Sequence, residues 1–206
     1  MELLYTRFSP FSRKVLILAH ERGLHDRLEL RPVEVGTHVP LKTSAHDELS
    51  GANPLVKIPV LQTVKYGPLY DSRVICEYLD TLHSLSPVFP AIGRERWEAL
   101  RQQATADGIV DAALLIRFEK TRLENRVWEE WAEAQTRRMR QGLDALEEAA
   151  ASLGRDLTVG QISIAAALGY LDFRFDALQW RSSRPVLADW FDRFSSRASM
   201  ESTKPT

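Results

Sequence analysis

The stretch from Asn53 to Asp80, N-P-L-V-K-I-P-V-L-Q-T-V-K-Y-G-P-L-Y-D-S-R-V-I-C-E-Y-L-D, constrains the fold more than any other part of the chain. Val60, Leu61 and Val64 form a short β-prone run. Leu69-Tyr70 form a second after the turn signal Tyr66-Gly67-Pro68, so the pattern predicts a hairpin. Pro59 stands at the mouth of the first strand, where a residue without an amide N–H suits a strand entrance or a cis turn. A cis Ile58-Pro59 bond would turn the backbone groups of Ile58 towards a ligand, although trans is the commoner state of such pairs. Behind the hairpin, Asp71-Ser72 precede the helical period Val74, Ile75, Tyr78, Leu79. An acid and a hydroxyl in that position serve as a plain helix cap, or as a seat for a ligand carboxylate beside the first-turn N–H groups.

Upstream, Leu3-Leu4-Tyr5-Thr6 is a strand candidate, and Ser9-Pro10 opens an apolar-periodic helix through Val15, Leu16, Leu18 and Ala19, stopped by Gly23. Ser9 is suited to cap that helix and Pro10 to be its first residue, where the missing N–H has no partner to lose. Leu28 to Val35 reads as another strand, closed by Gly36. Strand, helix, strand, hairpin and helix, βαβ-ββα, is the order of a thioredoxin-like domain. Redox proteins of that fold carry C-x-x-C at the start of the first helix, where the dipole lowers a thiol pKa. Here the four residues are Ser9-Pro10-Phe11-Ser12. With hydroxyls in place of both thiols the chain cannot exchange disulfides on its own sulfur, and thiol chemistry requires the sulfur of a ligand.

The 206 residues suffice for one large domain or two small ones, and a net charge of −1 argues against nucleic acid or an anionic membrane as partner. No apolar run approaches the ~20 residues of a membrane helix, and Met1-Glu2-Leu3-Leu4-Tyr5 is unlike a signal peptide. The single cysteine, Cys76, excludes an intrachain disulfide and fits a reducing cytoplasm; on its helix it reads as buried and inert. No zinc-spaced His/Cys cluster and no Gly-rich phosphate loop is present, so no metal is expected.

After the linker around His83 to Pro90 the period is helical throughout. Trp97, Leu100, Ala104, Gly108, Ala112 and Leu115 form one stripe. Trp128, Trp131, Met139, Leu143, Leu146, Ala150 and Leu153 form a second. Thr158-Val159-Gly160-Gln161 is a capping box ahead of a helix apolar on all sides, which belongs at the centre of a bundle. Pro185 opens the last helix. The expected architecture is an α/β thioredoxin-like N-terminal domain over 1–82, a linker over 83–91 and an all-α helical-bundle domain over 92–206.

The order "[IV]-P-x-L", hairpin, "[ED]-S", behind an S-P-[FY]-x-R-K start, resembles the glutathione S-transferase family, and within it a bacterial serine-type subgroup. The likeness covers essentially the whole chain. It extends to the [ST]-x-x-D cap of the central helix, where Gln161 replaces the acid, and to A-D-G-I-V-D-A around Asp107 and G-Y-L-D-F-R-F around Asp172. The resemblance implies that the Ser9 hydroxyl donates to the glutathione sulfur and favours its thiolate. Ile58, ahead of Pro59, would pair through its backbone with the cysteinyl group, and Asp71 and Ser72 would hold the γ-glutamyl end. His38, after Val33-x-Val35-Gly36, would reach the glycine end, with Lys57 a second candidate nearby. Val56 departs from the glycine usual in N-P-x-G, and a positive φ there costs a valine what it does not cost glycine. The helix bearing Asp107 would line the cleft above the sulfur, with Ile109, Leu114 and Phe118 as apolar wall, while Asp107 and Asp111 themselves read as solvated helix acids. The implied protein is a cytoplasmic, homodimeric glutathione transferase with glutathione as co-substrate, no metal, and an electrophilic small molecule as second substrate. The alternative is a non-catalytic glutathione-binding or protein-interaction module on the same fold, which has no use for a hydroxyl aimed at sulfur. A glutathione-dependent thiol reductase would want a cysteine at position 9.

Overall fold

The computed structural model describes residues 1–34, 44–154 and 156–205. It comprises two compact units, Met1–Phe89 together with Ala198–Thr206, and Pro90–Arg197. In the first unit β1 (Glu2–Tyr5), α1 (Pro10–Glu21) and β2 (Glu29–Pro32) are followed by α2 (Ser44–Ala52), β3 (Val60–Thr63), β4 (Gly67–Leu69) and α3 (Ser72–Asp80). The sheet runs β2-β1-β3-β4; β1 is parallel to β2 and antiparallel to β3, which is antiparallel to β4. This is the thioredoxin-like order expected from the sequence.

The two central strands carry apolar residues in succession because both sheet faces are covered. Leu3 opposes Leu61 and Leu4 opposes Val60, and all four are buried. Leu4 and Val60 meet Leu49 and Ala52 of α2 in one cluster; alternation sends Leu3 and Leu61 to the other face. Gly23, at φ +64, ends α1 in the left-handed region, with its N–H on the His20 carbonyl at 3.1 Å and that of Leu24 on Ala19 at 2.7 Å. The hairpin turns earlier than the Tyr66-Gly67-Pro68 signal suggested. The Thr63 hydroxyl accepts from the Tyr66 N–H at 3.0 Å and donates to the Gly67 carbonyl at 2.8 Å. Gly67 and Pro68 therefore already belong to β4, an edge strand where proline is tolerated.

The second unit holds α4 (Gly93–Glu119), α5 (Glu129–Ala150), α6 (Val159–Arg174) and α7 (Pro185–Ser195). As expected, α6 is buried from Val159 to Leu171 and starts with the reciprocal Thr158–Gln161 capping box. Gly160 permits the closest approach: a Cβ there would lie 2.8 Å from the Ala99 carbonyl on α4. The stripe read for α4 lies largely on the wrong face. Trp97 is 68% and Leu115 38% exposed, while Ala99, Ala106, Ile109, Ala113 and Ile116 are buried. In a helix of 27 residues with apolar residues on several faces, the small side chains that admit a neighbour decide which face is inside. Asp172 binds the Trp180 indole N–H and the Arg181 guanidinium, each at 2.7 Å, and Arg181 continues to Asp192 at 2.7 Å. The G-Y-L-D-F-R-F segment is thus a clasp between α6 and α7.

The last helix, α8 (Ala198–Ser202), returns to the first unit rather than ending the helical domain as the 92–206 boundary had it. Its anchor is Arg13 on α1, buried, donating to the Met200 carbonyl at 3.0 Å and the Thr203 hydroxyl at 3.4 Å. The linker is equally well tied. Asp80, at the end of α3, accepts from the N–H groups of Val88 and Phe89 at 2.9 Å each and pairs with His83 Nε2 at 2.9 Å. Among the described residues no helix is long and apolar enough to cross a membrane.

Candidate active site

Strand register gathers the sequence-predicted residues on one edge of the sheet. Leu4 pairs with Val60, and Leu61 with Leu69. The exit of β1 towards Ser9, the entrance of β3 at Pro59 and the exit of β4 towards Asp71 therefore lie side by side. Two strand spacings, about 10 Å, separate β1 from β4, and an extended tripeptide at ~3.3–3.6 Å per residue covers the same span. Both α1 and α3 begin at this edge and bring their N–H groups and positive dipole ends to it.

Ser9 is the N-cap of α1, in extended conformation, and its Oγ accepts from the Ser12 N–H at 3.2 Å. Its hydroxyl proton has no acceptor among the described residues, and the side chain is half-buried, within reach of a ligand. Ser12, the other hydroxyl of the S-P-F-S quartet, is fully buried with its Oγ unpartnered. Only the first of the two is available from outside.

The loop before β3 is shaped by a residue that the sequence reading passed over. Asn53 is buried; its Nδ2 donates to the Lys57 carbonyl at 2.8 Å, and its Oδ1 accepts from the Leu55 N–H at 3.0 Å. Its own carbonyl accepts from the Val56 N–H at 2.8 Å. An asparagine opening an N-P turn was the available signal, since its side chain readily bonds the backbone two residues on. Val56 adopts φ +52, and Ile58-Pro59 is cis. Val56, Ile58 and Tyr70 pack against the Leu4, Val33, Leu49, Ala52 and Val60 cluster, while Lys57 is exposed.

Asp71 is the N-cap of α3, and the Tyr70-Asp71 bond preceding it is cis. Its Oδ1 accepts from the Arg73 N–H at 2.9 Å, and its Oδ2 from the Arg73 guanidinium at 2.9 and 3.2 Å. Burial pushes its pKa up, but the Arg73 hydrogen bonds and the charges of Arg73 and Lys14 outweigh burial and hold it below the ordinary 3.8. The carboxylate is thus ionised at neutral pH, and with the side chain 54% exposed it can receive a ligand ammonium. Ser72, the first residue of α3, is buried beside it. Lys14 is enclosed, with its ammonium over the Phe11 ring at 5.6 Å from the centroid. His38 lies outside the described residues. Cys76 is buried on α3, and no group of three or more His, Cys, Asp or Glu among the described residues is placed to hold a metal.

Residues 8–82 match the glutathione S-transferase N-terminal domain and residues 129–193 its C-terminal domain. The chain is 32% identical over 208 residues to the uncharacterized GST-like protein YibF of Escherichia coli (strain K12), covering 100% of this chain and 98% of that one. A glutathione transferase family member from Pseudomonas fluorescens Pf-5, solved with bound glutathione, superposes with a TM-score of 0.93 at 42% identity, covering 100% of this chain and 98% of that one. A second such structure, with bound S-(propanoic acid)-glutathione, has a TM-score of 0.89 at 40% identity and full coverage of both chains. The chain belongs to the glutathione S-transferase family.

Proposed function

We propose that this protein is a serine-type glutathione transferase: it binds glutathione along the β1, β3 and β4 edge and activates its thiol for attack on an electrophilic small molecule. The observation that carries this reading is the Ser9 hydroxyl, which accepts a backbone N–H and keeps its proton for a ligand. Glutathione lies with its γ-glutamyl ammonium on Asp71 and its cysteinyl group beside the Ile58 backbone and Pro59; Ser72 supports the γ-glutamyl end and His38 the glycine end. The thiol proton passes to solvent, and the Ser9 O–H and the α1 N-terminus stabilise the thiolate left behind. The thiolate then forms a C–S bond at an electrophilic carbon, either expelling a leaving group with its bonding pair or opening an activated double bond whose electron pair takes a proton from solvent. Each unit by which the thiol pKa falls corresponds to about 1.4 kcal/mol of preferential stabilisation of the thiolate. The bound S-(propanoic acid)-glutathione of the 40% identical relative supports a site that admits glutathione substituted on sulfur.

Two variants test the division of roles. Ser9→Ala should lower conjugation turnover by about tenfold or more, the equivalent of one hydrogen bond of ~1.4 kcal/mol to the thiolate, with glutathione affinity nearly kept. Asp71→Ala should do the reverse and weaken glutathione binding in calorimetry without unfolding the protein. Unchanged turnover in Ser9→Ala would leave Ser9 a helix cap alone, with the activating donor elsewhere; absence of any conjugation in the wild type favours the binding-module alternative, and unchanged affinity in Asp71→Ala removes the site assignment. We also propose a cytoplasmic homodimer. Val64, Tyr66 and Val74, exposed on the hairpin and α3, support a partner surface on the first unit; sedimentation of a single 23.4 kDa species at micromolar concentration would contradict it.

A further inference from the structure

The segment from Asn53 to Pro59 joins the end of α2 to β3. Among the described residues, every hydrogen bond to the backbone of this segment has Asn53 at one end. Its N–H donates to the Leu49 carbonyl at 2.7 Å, and its carbonyl accepts from the Val56 N–H at 2.8 Å. Its side chain makes the other two bonds: Oδ1 accepts from the Leu55 N–H at 3.0 Å, and Nδ2 donates to the Lys57 carbonyl at 2.8 Å. Asn53 is 2% exposed, so water has little access to compete for it. The Lys57 carbonyl and the Ile58 N–H belong to one planar trans peptide and point in opposite directions. By gripping the carbonyl, Nδ2 fixes that plane and aims the Ile58 N–H away from Asn53. Among the described residues this N–H has no acceptor, and Ile58 is half-buried.

We infer that Asn53 is a positioning residue for the glutathione thiol. Through the Lys57–Ile58 peptide it aims the backbone donor that receives the cysteinyl group, and so sets where the sulfur lies relative to Ser9. The inference rests on the glutathione reading above. An asparagine that only forms a turn needs the Oδ1 bond to the backbone two residues on. The Nδ2 bond reaches four residues on, past the turn, to the peptide that faces the site. The segment does not hold this geometry by local preference, since Val56, at φ +52, sits in the left-handed region that a β-branched residue avoids. Without the Nδ2 bond the Lys57–Ile58 plane is free to turn, and a bound cysteinyl group loses its fixed partner.

The test uses the full-length protein with two variants, each checked by its unfolding curve. Asn53→Ala should weaken glutathione about tenfold or more in calorimetry. S-methylglutathione, which keeps the cysteinyl backbone, should lose affinity by a similar factor. At saturating glutathione the thiolate difference spectrum of Asn53→Ala should show the bound thiol titrating closer to the free value of ~8.5 than in the wild type. Asn53→Asp isolates the donor. Ionised, its carboxylate can only accept and sets an oxygen against the Lys57 carbonyl; protonated, it regains one donor. Its affinity relative to the wild type at the same pH should therefore recover as pH falls from about 8 to about 5, while that of Asn53→Ala stays level. This variant keeps the acceptor for Leu55 and carries the test where Asn53→Ala does not fold. Wild type that binds no glutathione would overturn the function and this inference together. Wild type that binds it, with variants that lose stability but keep affinity and bound-thiol pKa, would leave the function standing and reduce Asn53 to a turn residue.

Discussion

A serine hydroxyl has one proton and two lone pairs, and at position 9 one lone pair is committed to the N–H of Ser12. Capping and activation are therefore compatible in a single side chain. The cap, the acid-hydroxyl pair and the proline were legible in the sequence because each is a local backbone device with a fixed residue preference. Asn53 and Val56 were harder to read, because what matters there is a dihedral angle and a buried bond. Val56 was recognised only as an odd substitute for glycine, and its φ of +52 is the left-handed value that glycine would adopt freely. The cost of a β-branched residue there, of order 1–3 kcal/mol, is offset in part by its packing on the Leu49 and Val60 cluster. The consequence is an inverted substitution order. At an ordinary half-buried position alanine outperforms glycine, whereas here Val56→Gly should be more stable than Val56→Ala by about 1 kcal/mol. Denaturant midpoints of the two variants decide it, and the ordinary order would show that the loop relaxes to a negative φ.

Among the elements, α1 carries the most. Its N-terminus presents Ser9, its buried Arg13 holds α8, and its last turn ends on a stacked histidine pair, His20 and His25, with centroids 4.4 Å apart. Burial first, then the charge of His25, lowers the pKa of His20 below its ordinary 6.5, against the opposing pull of Asp26 and Glu21. Below pH 6.5 the unfolded chain thus binds a proton that the folded chain resists, and the stability this ring contributes above 6.5 declines as pH falls through that value. His20→Gln removes the titration. Urea midpoints on either side of pH 6.5 should fall more steeply in the wild type than in this variant, and parallel falls would assign the acid sensitivity to other groups. Helix existence and type were legible from period and caps, whereas the buried face of α4 was not. Its buried face carries Ala99, Ala106 and Ala113 together with Ile109 and Ile116, and at Ala99 it meets Gly160 of α6 at close range. Periodicity weighs bulk and hydrophobicity, and close helix approach selects for smallness.

At the scale of the molecule, the thioredoxin-like unit and the helical unit follow the expected order, and the departure is the return of Ala198–Thr206 to the first unit. Composition could not show this, since the cause is a buried guanidinium on α1 nearly 190 residues away in sequence from its acceptors. The central claim, that the sheet edge receives glutathione and the Ser9 end of α1 turns it into a nucleophile, concerns the protonation state of a bound thiol. A thiolate difference spectrum of glutathione bound to the full-length protein, recorded as a function of pH, reads that state directly. The account predicts thiolate absorbance at neutral pH, titrating below the range of an ordinary thiol near ~8.5 and shifted back towards it in Ser9→Ala. Bound glutathione that stays protonated at neutral pH and titrates like the free tripeptide would contradict it.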